Sequence, residues 1–439
     1  MNGIQHIRML LLLAGCLAVS TSHAQDSLLT LDRAIELALN NNFDIRIARN
    51  TSEQAANNNT PGNAGMLPDI DLNGAYQKTI GSAEQHLSSG EVVDRSNSVS
   101  DNAIANVALN WTVFDGMAMF ATRRKLEELS AQGEQSLRIQ IENTTAAVIN
   151  AYYAIVGQEQ LLRVVREQIV ANTEIEGIAA RKLANGSGAR LELLLARTEL
   201  NAQRSAELTA QAGSDKAKVE LRRLLALEPR TDYSVVDTVI IIYDPSLDQL
   251  KEDAERQNSL LLLYDREQRI AELGLKEYNA LRLPIVDVNG AYQFSRSTNN
   301  ASFLLLNQNL GYTFGITATM PLFHGFTVNT AVKNAKLDLL NAQLAYTRQE
   351  QTLAADVIKA YELFQGAKGV LQLEEENIAA AREMLLIAQE RFRAGVSTMV
   401  ELRIAQSTHA AAILRLVNAR YNAKFAETEL RRLAGLLVR

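Results

Sequence analysis

The spacing of apolar positions changes period several times along the chain. Leu31, Ala34, Ile35, Ala38 and Leu39 recur at three- and four-residue intervals, one face of a helix, with Thr30 placed to cap it. A second helix is expected over roughly 43–59, with counterparts at about 247–257 and 259–281. After Pro68 the period drops to two: Ile70, Leu72, Gly74 and Tyr76 alternate with Asp69, Asp71, Asn73 and Ala75. The same alternation sets Val107, Leu109, Trp111 and Val113 against Asn106, Ala108, Asn110 and Thr112. After Pro284 it sets Val288, Tyr292 and Phe294 against Asp287, Asn289 and Gln293, and later Tyr312, Phe314 and Ile316 against Thr313, Gly315 and Thr317. Four strands are predicted, at 68–78, 104–114, 284–295 and 310–320. Each is about 9–11 residues long, enough to cross a bilayer at a tilt. The stretches 79–101 and 296–309, rich in Ser, Asn and Gly, are expected to be surface connections.

Beyond Gly116 and Gly325 the helical period returns. Val148, Ile155, Leu162 and Ile169 are spaced by sevens, as are Val357, Phe364, Leu371 and Ile378, which is the coiled-coil signal. A helix from about 117 to 183 would rise about 100 Å. It breaks at Asn185-Gly186-Ser187-Gly188 and resumes from about 190 to 227; the second breaks at Gly395-Val396-Ser397. Glycine readily takes the left-handed conformation that ends a helix, so two long helical hairpins are expected, at 117–227 and 326–437. Only six prolines occur, none of them between 69 and 228 or beyond 321, which leaves both hairpins unbroken.

These elements come in duplicate. LPDIDLNGAYQ at 67–77 recurs as LPIVDVNGAYQ at 283–293, and Phe114-Asp115-Gly116 as Phe323-His324-Gly325. From there a constant offset of 209 pairs Val148-Ile149 with Val357-Ile358, Gly186 with Gly395, Glu192 with Glu401, and Glu220–Leu224 with Glu429–Leu433. The chain is therefore read as a leader (1–24), a first repeat (25–228), a joining segment (229–246) and a second repeat (247–439).

Composition narrows the function. Arg8, the apolar run Met9–Val19 and Ser22-His23-Ala24 form an export signal too short to span a bilayer. Two processing routes are open: cleavage after Ala24, favoured because the apolar run continues past Cys16, or lipidation at Cys16, the chain's only cysteine, within Leu13-Ala14-Gly15-Cys16. The formal charge of −6 gives no reason to expect a nucleic-acid partner. His6, His23, His86, His324 and His409 are scattered without metal-ligand spacing, and no phosphate loop or nucleophile motif occurs. Neither an enzyme nor a cofactor is expected.

One side of each strand is apolar and the other carries small polar and acidic groups, as a lipid face and a wet lumen would require. On this reading Leu109, Trp111, Tyr292 and Ile316 face lipid and Asp69, Asp71 and Asp287 face the lumen. A soluble half-buried sheet would alternate in the same way, which keeps a soluble periplasmic coiled-coil scaffold or adaptor as the competing reading. Four strands cannot close a membrane barrel, so a barrel must be shared between chains.

The duplicated order of helices, strand pair and long hairpin resembles the TolC-like outer-membrane efflux family. So do Leu31–Asn42, Phe114-Asp115-Gly116, and the turn glycines Gly186 and Gly395, followed by Glu192-Leu193 and Glu401-Leu402. The resemblance implies a mainly α chain with a small transmembrane β part. Its hairpins would form an α-barrel in the periplasm, and its four strands would join a 12-stranded barrel in a homotrimer in the outer membrane. It further implies an exit duct that docks onto a periplasmic adaptor and an inner-membrane pump. Glu192 and Glu401 would then help to gate the periplasmic entrance, though the family often has Asp there. The turns Gly186-Ser187-Gly188 and Gly395-Val396-Ser397 would meet the adaptor. Without the resemblance, the two glutamates read as solvated carboxylates near helix N-termini and the two glycines as helix terminators.

Overall fold

The structure is a computed structural model that describes residues 27–86, 88–228, 233–236, 238–239, 241, 243–300 and 304–438; the expected leader, with Cys16, lies outside the described residues. The first repeat runs β1 (Ser27–Leu29), α1 (Leu31–Asn41), α2 (Phe43–Asn58), β2 (Asp69–His86), β3 (Val92–Asp115), α3 (Ala118–Ala184) and α4 (Arg190–Leu224). After β4 (Tyr233–Val235) the second repeats the order: α5 (Leu247–Gln257), α6 (Ser259–Ala280), β5 (Ile285–Asn299), β6 (Leu306–Thr319), α7 (Thr327–Arg393) and α8 (Met399–Leu433). Helices α3 and α7 are both 67 residues long, and α4 and α8 both 35, all at the 209-residue offset.

Corresponding side chains make the boundaries in both repeats. The Asn42 carboxamide oxygen accepts from the Asp44 and Ile45 N–H groups at 2.9 and 3.2 Å, and Asn258 does the same for Leu260 and Leu261 at 3.1 and 3.0 Å. The corner from strand to helix also recurs, with positive φ at Gly116-Met117 and at Gly325-Phe326. At the first corner Asp115 Oδ2 accepts from the Met119 N–H at 2.8 Å. His324 stands at the matching position and offers its carbonyl instead, to the Thr327 N–H and hydroxyl.

The strands run longer at their hairpin ends than the alternation predicts. β2 and β3 form one hairpin through most of 79–101, and β5 and β6 pair through much of 296–309, so those segments are mainly ladder rather than loop. Their Ser, Asn and Gly residues satisfy backbone pairing without an apolar face, which hid them from a periodicity argument. The four strands make one antiparallel sheet in the order β2-β3-β5-β6; the outer edges of β2 and β6 have no partner strand among the described residues. A bulge in β3 interrupts the expected alternation: Thr112 faces Asp287 and Phe114 faces Val286, leaving Val113 outside the ladder.

Two compact units divide the chain, and neither is a sequence repeat. Among the described residues, one holds those within 27–46, 141–250 and 357–438, and the other those within 47–140 and 251–356, including the sheet. Each unit takes matching pieces from both repeats. The first has a core where α1, β1, β4, α3 and α4 meet, around Ala34, Val148, Tyr152, Ile155, Leu221 and Val235. There the Tyr152 hydroxyl donates to the Leu29 carbonyl (2.8 Å) and accepts from the Val236 N–H (2.9 Å), tying in both short parallel strands. Among the described residues no helix is long and apolar enough to cross a membrane.

Candidate functional site

The sheet's register decides which residues share a face. Ile70, Leu109, Gly290 and Phe314 stand in one row across the four strands, and Leu72, Val107, Tyr292 and Tyr312 in the next. Gly74, Ala105, Phe294 and Leu310 continue the series on one side, and Trp111, Val288 and Ile316 on the other, followed past the bulge by Phe114, Val286 and Ala318. These rows form a continuous apolar face, whose large side chains are mostly exposed in the single chain. Leu109, Trp111, Tyr292 and Ile316 all lie on it. Charged groups appear beyond the Leu310 row, where Lys78, Asp101 and Arg296 stand and the Tyr76 hydroxyl donates to Asp101 at 2.7 Å. At the opposite end the Trp111 indole N–H donates to the Met66 carbonyl at 3.0 Å.

The reverse face is polar. Asp69, Asn110, Asn289 and Gly315 make one row; Asp71, Ala108, Ala291 and Thr313 make the next. The Asn73 amide donates to Asn106 at 3.0 Å, and the Thr112 hydroxyl donates to Asp287 at 2.7 Å. Asp69 and Asp71 are exposed, whereas Asp287 is half-buried and held by its threonine. The sheet therefore brings all three aspartates to one face, though with unequal freedom.

The hairpin tips are built from the same device twice. Gly186 and Gly395 take φ of +71° and +75°. The Gly186 N–H donates to Leu183 O and the Ser187 N–H to Lys182 O; Gly395 donates to Phe392 O and Val396 to Arg391 O. The Ser187 hydroxyl also reaches Lys182 O (3.2 Å), and the Ser397 hydroxyl the Thr398 carbonyl (3.3 Å). A Cβ at Gly188 would lie 2.8 Å from Lys182 Cβ, so only glycine fits there, although the matching residue is Ser397. Glu192 stands in the first turn of α4, its N–H donating to Ala189 O at 3.0 Å. Glu401 stands in the first turn of α8, its N–H donating to the Thr398 hydroxyl at 3.3 Å.

Pattern reading missed two features of this end. Arg391 approaches Glu401 at 4.0 Å, an exposed pair. A small core of Ile175, Ala179, Ala196, Phe392 and Leu402 joins all four long helices, and the Lys182 ammonium lies 4.8 Å from the Phe392 ring centre. Arg391 occupies a position where helix-end basic residues are common, so only contact across the turn marks it out.

Residues 34–227 and 253–436 match the Outer membrane efflux protein family. Protein CyaE of Bordetella pertussis is 24% identical over 309 residues, covering 70% of this chain and 65% of CyaE. Outer membrane protein TolC of Escherichia coli K12 is 21% identical over 384 residues, covering 85% of this chain and 75% of TolC. The solved CmeC outer membrane channel of Campylobacter jejuni shares the fold at a TM-score of 0.78 and 17% identity, covering 92% of this chain and 85% of CmeC. A soluble scaffold or adaptor is not the family that matches. The two matched stretches take up most of the described residues, and so this chain belongs to the outer membrane efflux protein family, as an outer-membrane efflux channel of TolC-like fold.

Proposed function

We propose that three copies of this chain close one outer-membrane duct, which passively conducts substrates delivered by an inner-membrane pump through a periplasmic adaptor. One observation carries the reading: a four-stranded sheet with an apolar face, a polar face and two edges that have no partner strand among the described residues. In hydrocarbon each unpaired backbone group costs several kcal/mol, so both edges must find partner strands. Three copies supply 3 × 4 = 12 strands, within the range of known membrane barrels.

In this arrangement Leu109, Trp111, Tyr292 and Ile316 contact lipid. Asp69, Asp71 and Asp287 line the water-filled lumen, where exposed Asp69 and Asp71 favour cations more than the hydrogen-bonded Asp287 does. The α3–α4 and α7–α8 hairpins build the periplasmic α-barrel. Glu192 and Glu401 ring its entrance, and the turns Gly186-Ser187-Gly188 and Gly395-Val396-Ser397 receive the adaptor. The leader, cleaved after Ala24, delivers the chain across the inner membrane. The two repeats, 25–228 and 247–439, joined by 229–246, then act as alternate staves of one tube.

The test is electrophoresis of the detergent-extracted protein with and without heating. A slow band that converts to the single-chain band on boiling is expected. Protein that stays dissolved as single chains without detergent would overturn the reading.

A further inference from the structure

The two strand-to-helix corners repeat one backbone path but differ in charge. At the first, Met66 lies on the side of the apolar face, since the Trp111 indole N–H donates to its carbonyl at 3.0 Å. Asp115 caps α3, and Arg124 and Glu127 follow on that helix. The second corner carries Arg282, His324, Lys333 and Lys336 at the corresponding positions, under the offsets of 216 and 209. Both carboxylates are thus replaced by basic side chains, and Met66 by an arginine. The Arg282 guanidinium donates to the Asn329 side-chain oxygen at 2.9 Å. Lys333 and Lys336 follow Asn329 at four and seven residues along α7, on the same helix face. Among the described residues, no carboxylate makes an ion pair with Arg282, Lys333 or Lys336.

Apolar side chains adjoin these cations. Leu281, Leu322, Phe323 and Phe326 line a groove together with Arg282 and His324. The Phe323 and Phe326 rings meet edge to face, 5.3 Å between centres. Leu322 is 90% exposed and Phe326 67% exposed. A missing neighbour is not the whole reason. Val113 and Met117 hold the same places at the first corner, where Ala280 and Leu283 approach Gly116, and they are still 38% and 55% exposed. The groove begins where the apolar face of the sheet ends: Ala318 stands in its last row, and Arg282 lies just before β5. The long helices leave the sheet here toward the periplasm, so the groove lies at the level of the headgroups of the periplasmic leaflet.

We infer that this groove seats a phospholipid of the periplasmic leaflet, its phosphate on Arg282 and Lys333 and an acyl chain along Leu322 and Phe326. A guanidinium offers parallel N–H donors to two phosphate oxygens, and Lys333 and Lys336 add charge one and two turns from Asn329. The phosphate offsets three cations that this corner leaves without a carboxylate. Leu322 and Phe326 exchange water for hydrocarbon, which favours them in proportion to their exposed area. The first corner, with Met66 and Glu127 in place of Arg282 and Lys336, lacks this chemistry, so each copy supplies one site. The inference rests on the membrane-spanning sheet proposed above and adds a lipid at its base.

The test is native mass spectrometry of the detergent-purified oligomer, titrated with dioleoyl phosphatidylglycerol. The wild type should retain one lipid per chain more tightly than any further lipid. Arg282→Ala should weaken that binding about tenfold, through the loss of charge-assisted hydrogen bonds. Leu322→Ser, at a side chain too exposed to matter for folding, should weaken it about tenfold as well, through lost apolar contact. Asn329→Ala removes the neutral partner of Arg282 but not the cation, and should bind lipid as the wild type does. Excess inorganic phosphate should leave the lipid in place, because it gains nothing from Leu322 and Phe326; complete displacement would make this a free-anion site and overturn the lipid. Unchanged affinity in Arg282→Ala or Leu322→Ser, with the oligomer intact, overturns the inference and leaves the duct standing. Single chains that stay dissolved without detergent overturn both.

Discussion

Phe314→Arg separates a lipid-facing sheet from a soluble one. The apolar face runs from the Leu310 row to the Ala318 row, and Phe314 stands at its middle. Those eight residue steps, at about 3.3 Å each and a tilt of about 40°, span about 20 Å, close to the roughly 25 Å apolar band of a membrane barrel. Phe314 is 84% exposed in the single chain, so replacing it removes almost no packing within the protomer. In water the change should cost about 0.5 kcal/mol or less. At mid-membrane an arginine costs about 2–4 kcal/mol per copy, hence about 6–12 kcal/mol for a barrel of three. That is comparable with the whole stability of a typical domain, about 5–15 kcal/mol. Phe314→Arg should therefore abolish the heat-sensitive oligomer in outer-membrane extracts, whereas Thr313→Arg, on the polar face, should leave it in place. The assay is the ratio of slow to fast bands in unheated samples. Wild-type yield and melting behaviour for Phe314→Arg would refute the assignment of that face to lipid.

Further expectations concern the parts that hold the sheet and helices in place. Glu427 is 1% exposed, accepts from the Tyr243 N–H at 3.1 Å, and pairs with Lys424 at 2.7 Å and Arg431 at 3.3 Å. Glu427→Ala should lower stability to urea by about 2–4 kcal/mol, reduced from the fully buried value because Arg431 is partly exposed; a loss below about 1 kcal/mol would contradict this. A Cβ at Gly116 would lie 2.5 Å from the Ala280 carbonyl oxygen and 2.7 Å from Leu283 Cβ, at φ +73°, so Gly116→Ala should prevent assembly. Gly186→Ala meets nothing within 4 Å and should cost only the left-handed conformation, about 1–2 kcal/mol, read as a modest fall in melting temperature. Burial pushes the Tyr233 phenol up to about 12. Its neutral form is favoured in the folded state, so this stabilisation is complete below about pH 10 and is lost as pH rises toward about 12. Urea midpoints between those pH values should fall less steeply in Tyr233→Phe than in the wild type.

Much of this architecture is legible in the residues, and what is not has physical causes. Heptads such as Val148–Ile155–Leu162 mark the long helices because a buried stripe must repeat every turn or two. Leu72 and Val107 mark strands because one face is apolar throughout. The outer halves of the hairpins lack that contrast: Ser98 and Ser100 pair with Gly81 and Thr79, small or polar residues on both strands, so side-chain period cannot reveal them. The bulge at Val113 escapes the pattern because an apolar residue there continues the alternation in sequence while leaving it in space. The Gly186 and Gly395 turns are local and readable, whereas Arg391 beside Glu401 depends on contact across a turn. Gly157 of α3 and Val417 of α8 meet from different repeats, a proximity no local spacing encodes.

Conductance of planar bilayers holding oligomers of mixed copies tests the central claim most directly. Wild-type chains and Thr313→Arg chains, produced together, purified as one oligomer and incorporated into planar bilayers, should give discrete steps in separate classes. Each class should correspond to one possible number of variant copies, from none to three, because every copy contributes strands to the same lumen. Only the two parental step sizes would mean that each chain forms its own pore, and no steps at all would mean that the sheet closes none; either result contradicts the account.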